Sequence, residues 1–239
     1  NIDQENSKID TNLNEANIKT EVKLTENILN SMKCLGCQKL IFFSTGKVYG
    51  DNAFSLDIFS ESSELKPSRA YSNAKKLCED LILTKSSELS LNTIIFRMPP
   101  VINQSDGSNL GKLMKLSRQG FSIPLFPQGN DNQRSFISFS NIKIVMKHLI
   151  NNQELFANSR IYNLSDEGYI SLNDLLRISS KRKILVLPQT IASFFFKIPF
   201  LQGILLKLYG NFVMENTKIK RELGVKLTST SQSLLKIYK

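Results

Sequence analysis

Residues 40–79 hold a strand, a turn and a helix in an order that leaves few folds open. Leu40-Ile41-Phe42-Phe43-Ser44-Thr45 is a run of aliphatic, aromatic and β-branched residues closed by Gly46 and Gly50, which predicts a buried strand emptying into a loop. Ser44 and Thr45 then bring hydroxyls to the strand's C-terminal end. Beyond Pro67, small or apolar residues at Ala74, Leu77, Cys78, Leu81 and Ile82 recur at helical spacing, with Ser68 as the expected N-cap. Tyr71 and Lys75 stand one turn apart on that helix and share a face. Leu91 to Met98 is a second buried run, ended by Pro99 and Pro100, and reads as another buried parallel strand.

The Tyr71–Lys75 pair has a chemical use. A phenol, with a reference pKa near ~10, is a poor base at neutral pH, and an ammonium one turn away favours its ionised form. Such a tyrosine can exchange a proton with a substrate hydroxyl while Thr45 hydrogen-bonds the same oxygen. Spacing alone is weak evidence, because about 0.6 Tyr-x-x-x-Lys pairs arise by chance in a chain of this composition. The context carries more weight.

FFSTGKVYG followed by PSRAYSNAKKLCE resembles the paired active-site motifs of the extended short-chain dehydrogenase/reductase family, and within it the NAD-dependent nucleotide-sugar epimerases and dehydratases. Ser44, Thr45, Val48, Tyr49 and Gly50 match the strand-end motif, and Tyr71 and Lys75 match the helix motif. The resemblance implies an α/β Rossmann-type fold, a doubly wound parallel sheet with a small α/β substrate lobe, and NAD as cofactor. It implies Thr45, Tyr71 and Lys75 as catalytic residues, and cofactor contacts from Asn17, Ser44, Tyr71, Lys75, Arg97 and Pro99. Asn17 falls where the family has an Asn-Val-x-Gly-Thr element, although the Gly and Thr positions here are Thr20 and Glu21. Arg97, Pro99, Pro100 and Val101 fit the family's Arg-x-Pro-x-Val, beyond which Ile102, Asn103 and Gln104 depart from it. An ion pair is the structural alternative for Arg97. Further on, Asn109 and an Asn132-x-Arg134-Ser135 element resemble the sugar-nucleotide part of one epimerase branch, so Thr45, Asn109 and Arg134 are the implied substrate contacts, with Arg134 on a diphosphate. NTKIKRELGVK, residues 216–226, resembles the family's closing element, with Val225 in place of its aromatic residue.

Glycine spacing is the main departure. A dinucleotide site of this kind begins with a Gly-rich turn that lets a pyrophosphate approach backbone N–H groups at a helix N-terminus. Here the first of 11 glycines is Gly36, and no Gly-x-Gly or Gly-x-x-Gly occurs. Together with Asn1 as first residue, this gives the expectation that the fold lacks its N-terminal strands and Gly-rich turn. Residues 1–105 are expected to be the later part of the cofactor domain, carrying the catalytic motifs. Residues 106–239 are expected to be mainly a substrate lobe, from which a strand over 160–164 returns to the main sheet. Ile18, Val22, Leu29 and Met32 predict a helix from about Asn17 to Lys33. Ser171 is placed to cap a helix, and residues 183–187 read as a short strand.

The net charge of +10 on 239 residues suits an anionic partner. No basic tract or aromatic interleaving accompanies it, which argues against nucleic acid. Cys34, Cys37 and Cys78 make neither a closed disulfide set nor a four-ligand zinc site, and a helix C-terminus with Gly36 as its left-handed residue explains Cys34-Leu-Gly-Cys37. Reduced thiols and no signal peptide point to the cytoplasm. The apolar stretch over 184–213 is broken by Pro188, Lys197, Pro199 and Lys207, so a buried helix is expected there instead of a membrane span, with membrane-surface contact as the alternative. His148, the only histidine, is expected to be structural.

The activity implied is NAD-dependent 4-epimerisation of a UDP-sugar, with a homodimer as one assembly open to the protein. A dehydratase or a 4-keto reductase of the same family is the alternative, and so is a catalytically silent chain. Gly46 and Lys47 follow Thr45 where dehydratases carry an Asp-Glu pair. The sugar, and the choice between NAD and NADP, are not legible.

Overall fold

A computed structural model describes residues 2–50, 57–102, 109–119, 125–127, 131–156, 158–180, 186–198, 205 and 209–238. It divides into two compact units, one of residues 1–50, 61–98 and 149–163, the other of residues 51–60, 99–148 and 164–239.

The first unit is built on a three-stranded parallel sheet in the order β1-β3-β6, with β1 at Lys39–Thr45, β3 at Asn92–Met98 and β6 at Arg160–Asn163. Two helices, α1 (Ile2–Cys34) and α2 (Ala70–Leu89), pack against each other, and α2 packs on β1 and β3. Leu29 and Met32 of α1, Ile82 of α2, and Leu91 and Ile95 form one buried cluster with Leu40 and Phe42 against it. Strand side chains alternate between faces, so Phe43, Phe96 and Tyr162 line up in register across the three strands, with ring centroids 6.0 and 6.3 Å apart. Central β3 is buried along Thr93–Arg97, as a near-continuous apolar run in a parallel sheet should be. Among the described residues β1 pairs on one side only, and its Phe43 stays 38% exposed.

Helix α1 runs well beyond the expected start near Asn17. Nothing from Ile2 to Leu35 is Gly or Pro, so once the apolar stripe of its C-terminal half is docked, the polar N-terminal half propagates the helix without a breaker. Its end is as expected. Gly36 adopts φ +66°, and Cys37 N–H donates to the Met32 carbonyl at 2.9 Å. Cys34 and Cys37 are exposed free thiols and Cys78 is a buried one. Helix α2 begins one residue later than Ser68 would have it. Arg69 is the N-cap, and Ser72 reaches back to accept its backbone N–H at 3.2 Å.

The second unit contains two short parallel pairs, β4 (Val101–Ile102) with β5 (Ile137–Ser138), and β2 (Ile58–Phe59) with β7 (Val213–Met214). Arg134 makes an antiparallel bridge to Ile170 and a parallel one to Phe212. Around them lie α3 (Asn109–Arg118), α4 (Phe139–Asn151, whose last residues belong to the first unit), α5 (Leu172–Ser179), α6 (Gln189–Phe196), α7 (Thr217–Leu223) and α8 (Thr230–Tyr238). Ile102, Met114, Phe136, Leu172, Leu175 and Leu234 form much of its core. Ser171 caps α5, accepting from Asp174 N–H at 3.0 Å, and Gly224 closes α7 at φ +67°. Asp166 is fully buried and pairs with no cation among the described residues. Its carboxylate accepts from Ser138 N–H and Oγ, Asn141 Nδ2 and Thr230 Oγ1 at 2.6–3.1 Å, which ties β5, α4 and α8 together.

Residues 183–185 of the strand expected over 183–187 fall outside the described residues; Val186 makes one parallel bridge to Leu125. No helix among the described residues is long and apolar enough to cross a membrane.

Candidate active site

In the first unit the strand-end motif and the helix motif meet through α2 packing on β1 and on the 3-10 turn Gly46–Tyr49. Tyr71 stands in the first turn of α2 and is 57% exposed, open to a substrate. One turn on, the Lys75 ammonium lies 4.9 Å above the Phe42 ring of β1 and 5.9 Å from the Tyr71 ring centroid. Its nearest charge is the Glu21 carboxylate of α1, 2.6 Å away. Thr45 ends β1 half-buried, and its hydroxyl accepts the Lys47 N–H at 3.2 Å, capping the 3-10 turn. Tyr71 and Thr45 are not hydrogen-bonded to each other among the described residues. Asn17 is exposed on α1, one turn before Glu21.

Beside this pair lies a buried polar network. Arg97 of β3 is 3% exposed, and its guanidinium donates to both Glu79 oxygens at 2.7–3.3 Å and to the Tyr49 hydroxyl at 3.1 Å. Ser44 Oγ also donates to Glu79, and Tyr49 donates to Asn163 Oδ1 at 2.7 Å. The chain thus satisfies two charges removed from water. Burial acts to lower the Arg97 pKa, but the hydrogen bonds and charge of Glu79 outweigh it, so the net direction is up. Burial raises the Tyr49 phenol above its usual value, and Arg97 offsets this only in part. Ser44 and Arg97, both expected at the cofactor, are therefore joined through Glu79. Pro99, directly after β3, is buried.

Glu79, Asn163 and Glu21 escaped the reading of the sequence. The legible signal was Arg97, the one charge in an apolar strand; Glu79 lies about 100° round the helix from Cys78, off the stripe of Ala74, Leu77, Cys78, Leu81 and Ile82. A charge inside a core strand calls for an opposite charge beside it, but the apolar stripe of α2 does not point to Glu79.

In the second unit Asn109 opens α3, its side chain outside the described ones. Arg134 is buried and donates from Nη1 to the Gly210 carbonyl at 2.6 Å. Its neighbour Asn132 lines a groove of about 740 Å³ together with Gln133, Tyr169, Ser171, Asp174 and Arg177.

The profile of the NAD dependent epimerase/dehydratase family matches residues 5–165. No curated protein sequence matches the chain. Among solved structures, UDP-N-acetylglucosamine 4-epimerase from Bacillus cereus is similar with a TM-score of 0.69 at 16% identity, over 90% of this chain and 69% of that one. UDP-glucuronic acid 4-epimerase from Bacillus cereus in complex with NAD is similar with a TM-score of 0.68 at 16% identity, over 92% and 68%. dTDP-glucose 4,6-dehydratase from Bacillus anthracis, also in complex with NAD, gives 0.64 at 17% identity, over 92% and 66%. Epimerases and a dehydratase share the fold at this level, so the likeness shows the architecture and not the reaction. A parallel sheet with Tyr71 and Lys75 on the helix packed against β1, and a family profile that spans both motifs, lead to one assignment: the chain belongs to the NAD dependent epimerase/dehydratase family.

Proposed function

We propose that the chain carries the proton-transfer and sugar-nucleotide-binding parts of a 4-epimerase that acts on a UDP-sugar. The observation that carries this reading is the exposed Tyr71 with the Lys75 ammonium one turn away, on the helix that packs against β1, the strand ending in Thr45. Tyr71 takes the proton of the sugar 4-hydroxyl and later returns it, and Thr45 orients that oxygen. Lys75 and Tyr71 suit the ribose hydroxyls at the nicotinamide end of NAD, while the diphosphate finds no Gly-x-Gly or Gly-x-x-Gly turn within these 239 residues. When bound, NAD supplies the hydride acceptor and donor at the sugar's carbon 4. Asn109 and Arg134 take the UDP end, with Arg134 on the diphosphate. The division at residue 105, a cytoplasmic setting and a homodimer belong to the same reading.

Gly46 and Lys47 after Thr45 leave no acid to help expel a 6-hydroxyl, which favours an epimerase over a dehydratase. A 4-keto reductase shares every residue named above; it differs in consuming NADH stoichiometrically, where an epimerase interconverts two UDP-sugars with no net change. Calorimetric titration of UDP-glucose and UDP-N-acetylglucosamine into the chain tests the substrate class. Binding that Arg134→Ala weakens about tenfold is expected. Absence of binding for any UDP-sugar would sink the proposal.

A further inference from the structure

Glu21 stands where the resemblance has a threonine. Lys75 is a long side chain whose ammonium has few other anchors: the ring faces of Phe42 and Tyr71, at 4.9 and 5.9 Å, attract it only weakly. Held by these alone, so flexible a side chain would turn its charge outward to water. It is instead 16% exposed and forms a 2.6 Å ion pair with Glu21. The carboxylate arrives there because α1 and α2 are joined turn by turn. Thr25, one turn after Glu21, donates from Oγ1 to Cys78 Sγ at 3.2 Å, and Leu29 packs in the same cluster as Ile82.

We propose that Glu21 is a positioning residue for the Tyr71–Lys75 pair, its carboxylate fixing the Lys75 ammonium beside the Tyr71 ring. The proposal rests on the reading of these two residues as the proton-transfer pair. It also makes α1 a part of the site, since moving α1 would move the ammonium.

The test is nitrogen-15 NMR of the lysine ammonium groups, with Lys75 assigned by the resonance that Lys75→Arg removes. A paired, half-buried ammonium exchanges slowly enough to be seen, so the natural chain should show this signal. Glu21→Gln should abolish it and Glu21→Asp restore it. Thr25→Ala, which loosens the same helix seam without touching the pair, should leave it in place. Persistence of the signal in Glu21→Gln overturns the proposal, and so does its equal loss in Thr25→Ala. These readouts need no turnover, so they hold or fail separately from the epimerase reading. In the enzymatically active natural protein, Glu21→Gln should lower kcat about tenfold with the KM for UDP-sugar unchanged. An unchanged kcat would overturn the positioning role.

Discussion

Gly50, the last residue of the strand-end motif, has φ +105°, and a Cβ built there would stand 2.8 Å from the Lys66 carbonyl oxygen. Both facts exclude a side chain, one through backbone strain and the other through a rigid neighbour. Gly50→Ala is therefore expected to cost about 2 kcal/mol or more in urea unfolding, well beyond an ordinary surface change. Tyr71 is the opposite case, because it is 57% exposed and its hydroxyl makes no hydrogen bond among the described residues. On the proposed 4-epimerase reading, Tyr71→Phe should lower turnover at least about a hundredfold with the melting temperature unchanged. Near-normal turnover would remove Tyr71 from the chemistry.

At the scale of elements, the Glu79–Arg97 pair ties α2 to β3, and Ser44 brings the end of β1 onto the same carboxylate. Both side chains are at most 4% exposed, so removing one strands the other's charge away from water. Arg97→Ala should cost about 3–5 kcal/mol, and Glu79→Leu with Arg97→Met should recover most of that loss. Recovery would show that the single substitution fails through an orphaned charge and not through lost volume. Asp166 offers a second element-scale test. Burial raises its pKa, and its hydrogen bonds oppose this only in part. The folded state then holds the proton to a higher pH than the unfolded chain. The stability this group contributes is complete below the ordinary Asp value of about 3.9 and is lost as pH rises to the raised one. Asp166→Asn removes that dependence. The stability of the natural chain relative to the variant should thus fall as pH rises from about 4 toward neutrality, read from urea unfolding at a series of pH values. A flat difference would mean that the four donors cancel the effect of burial.

For the molecule as a whole, NAD binding requires more than the Tyr71–Lys75 end. On the proposed reading these residues meet only one ribose, too little to offset the cost of association, and no Gly-x-Gly or Gly-x-x-Gly occurs in the sequence to bring backbone N–H groups to a diphosphate. The 239 residues by themselves are expected to show no NAD binding in a calorimetric titration on monodisperse protein. Micromolar affinity would mean that the chain has built a dinucleotide site without that turn. The side of β1 that pairs with no strand among the described residues, with Phe43 exposed beside it, is also a template for strand pairing. Concentration-dependent association is expected in light scattering, and Phe43→Lys should reduce it. The domain split and the sugar specificity are decided at this scale as well.

Local information was enough for much of this protein. Strand β1, helix α2, the buried run of β3, the left-handed glycine after Cys34 and the Ser171 cap all depend on residues within a few positions of each other and stand where the sequence put them, but along β1 only Ser44 is buried, and Leu77 of the α2 stripe is 45% exposed because the helix turns Glu79 and Ser86 inward instead. The Tyr71–Lys75 juxtaposition was legible for the same reason, since one helical turn brings them together. What the sequence could not give were partners distant along the chain. Glu21 reaches Lys75 only because α1 packs on α2, and Asn163 reaches Tyr49 only because β6 joins β3. The long extension of α1 also escaped it, because a polar helix has no periodicity to read and is limited only by the absence of a breaker. Sequence determined which side chains could do chemistry. Tertiary packing decided which charge each of them meets, because a hydrogen bond or ion pair acts over a few ångströms that only the folded chain supplies.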